Sequence, residues 1–208
     1  MKAIILTKAD KNNNLKCLMS WWNKPLLDHL LTNLLFFKLP RDIYIVGVKN
    51  AELESYLEKY SIPKKNYIIL LEQGTEVDSL LTIKYLLEED PLFLVINSDS
   101  YFPKKDVRRI IGQEELNYPV IFTYKYQLPY AVIGADGRDN SIRTMTEAPE
   151  MTVNTGVYIL PKEIWRILSR FDTITEALFQ LKLEKNTKIY TFDLEEWRYF
   201  AKRGDFIE

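Results

Sequence analysis

Residues 91–102, PLFLVINSDSYF, carry an unbroken apolar run from Leu92 to Ile96 that stops at Asn97-Ser98-Asp99. A short apolar run without polar alternation reads as a strand buried on both faces, the habit of parallel sheets. Ligands of open α/β sheets bind just beyond the carboxyl ends of such strands. A carboxylate there can hold a divalent cation against phosphate oxygens. Asp99 is therefore the first candidate for chemistry, expected on the sheet rim beside a nucleotide-sized cleft. The plainer alternative is that it bonds a loop backbone or caps the helix after Pro103.

Apolar runs alternate with amphipathic stretches on the N-terminal side of this segment. Lys2–Leu6, Ile43–Val48 and Tyr67–Leu71 read as strands. Between them lie a helix opened by Pro25 and running to Phe37, a helix Ala51–Tyr60 capped by Asn50, and a helix Glu76–Glu88. A βαβαβαβ order implies a parallel sheet with right-handed crossovers. Beyond residue 102 the pattern mixes. Pro103 starts a helix, Val120–Thr123 is a strand, and Tyr130–Gly134 with Ser141–Thr146 form a hairpin around Ala135-Asp136-Gly137. A strand Val153–Leu160, a Pro161-led helix, a helix Thr173–Leu183 capped by Asp172, a strand Lys188–Phe192 and a helix Leu194–Ala201 follow. No repeat or linker interrupts the chain, so one continuous α/β domain over 1–208 is expected.

Composition bounds the function. Lys and Arg number 28 against 29 Asp and Glu, which gives no electrostatic case for nucleic-acid binding. A single cysteine, Cys17, excludes an intrachain disulfide and a cysteine-rich zinc site and points to a reducing, cytoplasmic setting. The N-terminus turns polar too early for a signal peptide. LLDHLLTNLLFF is broken by Asp28, His29, Thr32 and Asn33 and is shorter than the roughly 20 residues of a membrane span. It reads as an amphipathic core helix, with no membrane partner. His29, the only histidine, reads as structural. Trp21 and Trp22 cannot share one face, so one is expected in the core and one outside it.

The order of short motifs resembles the sugar-phosphate nucleotidylyltransferases, the enzymes that make nucleotide sugars. MKAIILT resembles their first strand, and LKCLMSWWNKPLLDHLL their Pro-Lys-x-Leu and Lys-Pro-Leu-Leu stretch. IYIVGVKNAELESYL resembles their second strand and helix, and LLEQGTEVDSLLTIKYLL their Glu-Gln segment and helix. FLVINSDSYF stands where they carry Asn-Gly-Asp. YAVIGADGRDNSIRTMTEAPE resembles their Tyr-Gly hairpin ending in Glu-Lys-Pro, VNTGVYILPKEIW their Asn-x-Gly-x-Tyr segment, and DLEEWRYFAK lies at their Trp-x-Asp-x-Gly-Thr motif. Each motif is common alone; eight in order are specific. The departures are equally concrete. Lys8–Asn14 replaces a glycine-rich loop, Ala131 and Ala148 replace a glycine and a lysine, and Tyr199 stands where a second metal-binding carboxylate is usual.

The resemblance implies a three-layer, Rossmann-like nucleotide-diphospho-sugar transferase fold. It implies a nucleotide-binding half (1–102), a sugar-binding half (103–208) and transfer of a nucleotidyl group from a nucleoside triphosphate to a sugar 1-phosphate. It assigns catalysis to Lys16 and Asp99, with Mg²⁺ held by Asp99, and leaves homo-oligomerisation open. Nucleotide contacts fall on Thr7, Lys8, Lys11, Asn12, Gln73, Gly74 and Thr75. Sugar contacts fall on Glu147, Asn154 and Gly156, although Asn154 could equally bond nearby backbone. Asp193 is a substitute second carboxylate. Two rival functions remain at this point: a non-catalytic nucleotide- or nucleotide-sugar-binding member of the fold, and an A-type glycosyltransferase. The second ranks last because Asn97 occupies the first position of the usual Asp-x-Asp.

Overall fold

The computed structural model describes residues 1–9, 14–36, 43–72, 74–113, 118–127, 132–135, 142–146 and 150–200, with backbone only for 64, 132–135 and 142–146. In chain order the strands are β1 (Lys2–Leu6), β2 (Ser20–Trp21), β3 (Lys24–Pro25), β4 (Ile43–Val48), β5 (Tyr67–Leu70), β6 (Leu92–Asn97) and β7 (Ser100–Tyr101). They continue with β8 (Val120–Gln127), β9 (Val132–Ala135), β10 (Ile142–Thr146), β11 (Glu150–Pro161), β12 (Tyr190–Asp193) and β13 (Arg198–Tyr199). The helices are α1 (Leu26–Phe36), α2 (Ala51–Lys59), α3 (Glu76–Thr82), α4 (Lys84–Leu87), α5 (Lys104–Gly112) and α6 (Ile174–Lys185).

Seven strands form the central sheet in the order β12-β8-β11-β6-β1-β4-β5. Neighbours pair in parallel except β11, which runs antiparallel to both β6 and β8. The chain steps outward from β1 to β4 and β5, then crosses back to place β6 on the other flank of β1. The carboxyl ends of β1 and β6 therefore face a topological switch point, where doubly wound sheets open a crevice.

Alternation along the strands builds the two cores. Ala3 and Ile5 of β1 and Leu92, Leu94 and Ile96 of β6 pack against Leu27, Leu30, Leu31 and Leu34 of α1 and Val107 and Ile110 of α5. Their neighbours Ile4, Leu6, Phe93 and Val95 face the other way, onto Val77 and Leu80 of α3 and Leu178 and Leu181 of α6. The Phe93 ring stacks on Trp165 at 5.0 Å. Each fully buried Leu, Ile or Phe contributes about 1.5–3 kcal/mol. The apolar run at 92–96 is thus the middle layer of a three-layer sandwich.

Several expected boundaries are corrected. Pro25 pairs in β3 one residue before α1 instead of opening it. The helix expected over 76–88 breaks at Ile83 into α3 and α4. Thr173, not Asp172, caps α6 through a capping box with Glu176. Lys162–Arg166 after Pro161 is a 3₁₀ helix. The helix expected at Leu194–Ala201 does not form over the described residues 194–200, where β13 pairs with β7. Asp106, fully buried on α5, accepts the backbone N–H groups of Glu195 and Glu196 at 3.2 and 3.1 Å, which fixes a turn where a helix would begin. The hairpin appears as β9 with β10, while its turn falls outside the described residues.

Trp21 is buried and Trp22 is 68% exposed, as expected, although they stack on each other at 5.6 Å across a hairpin corner. The His29 Nε2 hydrogen-bonds the carbonyl of Trp21 at 2.8 Å, a structural role. No described helix is long and apolar enough to cross a membrane.

Asp28 ties α1 to α2. Its buried carboxylate accepts the Tyr60 hydroxyl and lies 3.2 Å from the Lys59 ammonium and 3.9 Å from that of Lys24. Burial alone would raise its pKa, but the Tyr60 hydroxyl and the ammonium groups outweigh it and hold the carboxyl below its ordinary 3.8. A depressed folded pKa contributes stability that is complete above the unfolded value and lost as pH falls through the folded one. The melting temperature is therefore expected to fall on acidification below about pH 4, and Asp28→Asn to show a shallower acid slope. Identical slopes in melting curves taken from pH 6 to 2 would remove Asp28 from the acid transition.

Candidate active site

The site grows from the ends of β1 and β6. Leu6 pairs with Asn97, and the Ser98 N–H donates to the Leu6 carbonyl at 3.0 Å, so the two strands deliver Lys8 and Asp99 to one crevice. Beyond β1 the chain loops out and returns: Ala9 bridges Leu15, and the Lys16 N–H donates to the Lys8 carbonyl at 2.9 Å. That closure sets the short 3₁₀ helix Lys16–Leu18 against β6. Cys17 goes into the core, where burial pushes its thiol up to about 12. Lys16 turns the other way, its ammonium 3.4 Å from Asp99 Oδ2.

Asp99 is not open on the rim as expected; it is only 1% exposed. The segment after the Asp106-held turn covers it. The Phe200 N–H donates to the Asp99 carbonyl at 2.9 Å, and Tyr199 pairs with Ser100. Lys16 donates to the Tyr199 hydroxyl at 3.5 Å and lies 5.4 Å from the centre of that ring. Tyr199 in turn stacks on Trp197, whose indole N–H donates to the Thr155 carbonyl at 3.2 Å. Burial would lower the Lys16 pKa; the Asp99 carboxylate, then Tyr199, outweigh it and keep the ammonium above its ordinary value. Tyr199 thus sets a phenol hydroxyl beside the Lys16 ammonium.

Asp99 and Lys8 line a cleft of about 230 Å³. Its opposite wall is the β11 bulge, where the register with β8 shifts between Asn154 and Val157. Gly156 sits there at φ +75°, and a Cβ on it would lie 2.9 Å from Asn97 Cβ. Asn154 spends its amide inside the protein: Nδ2 donates to the Tyr158 hydroxyl at 2.7 Å and to Thr175 Oγ1 at 2.8 Å, and Oδ1 accepts the Gly156 N–H at 2.9 Å. Asn154 therefore shapes the wall.

Of the expected site residues, the cleft gathers Lys8, Asp99, Asn154 and Gly156, with Lys16 joined through Asp99. Thr7 is elsewhere: it is buried and donates to the Val46 carbonyl at 3.0 Å. Thr75 caps α3 by exchanging hydrogen bonds with Asp78, and Gly74 borders a separate surface hollow with Asp78 and Ser79. Asp193 accepts the Thr123 hydroxyl at 2.6 Å on an outer strand of the sheet. Lys11, Asn12, Gln73 and Glu147 lie outside the described residues. The cleft also includes Glu76, Tyr158 and Trp197, which the residue-by-residue reading passed over. Strand alternation from Asn154 and Gly156 would have found Tyr158. Glu76 carried only the signal of following Gly74-Thr75.

No group of three or more His, Cys, Asp or Glu among the described residues could hold a metal. Of the carboxylates on the cleft wall, Asp99 is 1% exposed and already paired with Lys16, and Glu76 is half-buried.

A mostly parallel sheet with one reversed strand, helices on both faces and a lysine–aspartate pair at its switch point define a nucleotide-sugar-type transferase architecture. The crystal structure of HddC from Yersinia pseudotuberculosis superposes with a TM-score of 0.65 at 18% identity, covering 99% of this chain and 96% of that one. The same protein complexed with GMP-PN gives 0.62 at 18%, covering 98% and 95%. Mannose-1-phosphate guanyltransferase 2 of Candida glabrata is 27% identical over 209 residues, covering 92% of this chain and 57% of the relative. The mannose-1-phosphate guanyltransferase of Yarrowia lipolytica is 24% identical over 205 residues, covering 92% and 56%. This chain thus spans little more than half the length of these curated relatives. No protein-family model matches it. The chain is thus similar to mannose-1-phosphate guanyltransferases at low identity and shares the fold of HddC.

Proposed function

We propose that the chain transfers a nucleotidyl group from a nucleoside triphosphate to a sugar 1-phosphate and releases pyrophosphate. The observation that carries this reading is the Lys16–Asp99 pair, 3.4 Å apart, at the β1/β6 switch point beside a cleft that Lys8 also lines. A sugar-phosphate oxygen attacks the α-phosphorus in line. The new P–O bond forms as the bond to the β-phosphate oxygen breaks, and pyrophosphate leaves with that electron pair. The protein's part is positioning and charge compensation. Lys16 and Lys8 face the phosphates, and a partly desolvated ammonium stabilises developing charge more than one in water does. Mg²⁺ bound at Asp99 would supply further neutralisation of phosphate charge. The nucleotide half is 1–102 and the sugar half 103–208, with Lys11, Asn12 and Gln73 on the nucleotide and Glu147 on the sugar.

The non-catalytic reading keeps one specific support: the phenol of Tyr199, in place of a carboxylate, already occupies the Lys16 ammonium. The test is purified protein with Mg²⁺, a panel of triphosphates and hexose 1-phosphates, and a coupled pyrophosphate assay beside thermal melting. Turnover of at least one pair is expected. A saturating ligand at a hundredfold its Kd adds about 2.7 kcal/mol, roughly 5–10 °C for a chain of this size. Melting shifts with nucleotides but no pyrophosphate from any pair would leave the binding function in place of the enzyme.

A further inference from the structure

One end of the cleft is built of hydrogen-bond acceptors. Asn97, the last residue of β6, is 7% exposed, yet its Oδ1 has no partner in the protein. Its Nδ2 donates to Glu76 Oε2 at 3.3 Å, which ties the carboxylate to the same amide. Glu76 is half-buried, and no described lysine or arginine pairs with it. Both residues line the cleft. A buried amide oxygen without a partner is an unmet acceptor, and Asn97 carries one at the wall of the cleft.

The surroundings define the donor. An anion is repelled by Glu76 and is drawn instead to Lys8 and Lys16. Asn154 has no free amide hydrogen to offer. Gly156 carries no side chain here, and the Asn97 side chain fills the space that a Cβ on it would take. The Tyr158 hydroxyl is kept neutral, because burial and then the Glu76 charge push it up to about 12.

We propose that Asn97 and Glu76 form a diol-reading subsite, accepting hydrogen bonds from two adjacent ring hydroxyls of the ligand, with Glu76 as the specificity-determining residue. This rests on the function proposed above. It makes the substrate class a neutral polyhydroxy ring and excludes rings that carry a carboxylate at that place. Such a diol exists on the hexose and on the ribose of a nucleotide sugar, and the test separates them.

Binding of a panel of nucleotide sugars to the full chain is measured by calorimetry. The best ligand is then repeated as analogues lacking one hexose hydroxyl or one ribose hydroxyl, on the wild type, Glu76→Gln, Glu76→Ala and Asn97→Ser. At least a tenfold loss is expected on the wild type when either diol hydroxyl is removed. Glu76→Gln and Glu76→Ala are expected to weaken the intact ligand tenfold or more and to lose the penalty for removing one diol hydroxyl, and Asn97→Ser to lose the penalty for removing the other. Loss confined to hexose analogues assigns the diol to the sugar; loss confined to ribose analogues assigns it to the nucleotide. Glu76→Ala lies on the cleft wall rather than in the core, so retained melting keeps its result readable. If the variants keep the wild type's preference for the intact ligand, the subsite is wrong while the proposed function stands. If the wild type binds no nucleotide sugar at all, the proposed function falls and the subsite with it.

Discussion

Replacing Asp99 with asparagine is expected to lower nucleotide-sugar formation on the order of 10²–10³-fold, the usual effect of removing one preorganised charge-stabilising group. Asn keeps the volume and the backbone contacts, including the Phe200 N–H to Asp99 carbonyl bond at 2.9 Å. What it removes is the negative charge beside Lys16 and the carboxylate available to Mg²⁺. Folding suffers too, because one partner of a nearly buried pair is left alone; the Lys16 side chain is 14% and that of Asp99 2% exposed. Breaking a fully buried pair costs about 3–5 kcal/mol, and partial access of water to Lys16 places this one below that range. The double variant Lys16→Met with Asp99→Asn removes both charges and is expected to recover most of the melting temperature and none of the activity. Recovery of turnover in that double variant, or near-wild-type turnover in Asp99→Asn, would take the chemistry away from this pair. The pair also sets an alkaline limit. A lysine pKa raised by folding contributes stability below the unfolded value near 10.4, lost as pH rises through the folded one. The wild type is thus expected to lose melting temperature above about pH 10 more steeply than the double variant.

The sheet was legible because its strands are written in apolar runs. Leu92 to Ile96 and Ile43 to Val48 have no competing period, and alternation within them sends neighbours to opposite layers. Lys16 and Asp99 were legible through motif order, and the structure brings them to 3.4 Å. The C-terminal turn was not. Leu194–Ala201 carries helical spacing, but the signal that overrides it is Asp106, some ninety residues earlier, taking the two N–H groups a helix would start from. The same long-range contact accounts for the covering of Asp99, since it aims Trp197 and Tyr199 across the site. Asn154 illustrates a different gap: its residue type fits ligand binding, and only the positions of Tyr158 and Thr175 reveal that its donors are spent. Thr7 and Thr75 likewise turned to backbone or a cap, the default of short hydroxyl side chains.

Gly156→Ala is expected to destabilise the fold by about 2–4 kcal/mol, roughly 5–15 °C in melting temperature for a chain of this length. Two independent causes add. The residue lies at φ +75°, where an L side chain meets its own carbonyl at a cost of about 1–2 kcal/mol. The added methyl would also sit 2.7 Å from Asn97 Nδ2 and 2.9 Å from Asn97 Cβ. The amide could swing away, but the Cβ is anchored to β6, the most deeply buried strand of the sheet. Relief must come from separating β11 and β6, which pair directly from Val157↔Ile96 onward. The two causes can be divided experimentally. Gly156→Ala with Asn97→Gly removes the steric part and is expected to recover about half of the loss, leaving the backbone part. Gly112→Ala is the control: it ends α5 with nothing within 4 Å of a new Cβ, so a change within about 1 kcal/mol is expected. Displacing Asn97 also breaks its bond to Glu76, so Gly156→Ala is expected to weaken ligand binding even at temperatures where the protein is fully folded. Wild-type melting in Gly156→Ala would mean that the bulge relaxes freely, and that the wall of the cleft is not set by the contact between Gly156 and Asn97.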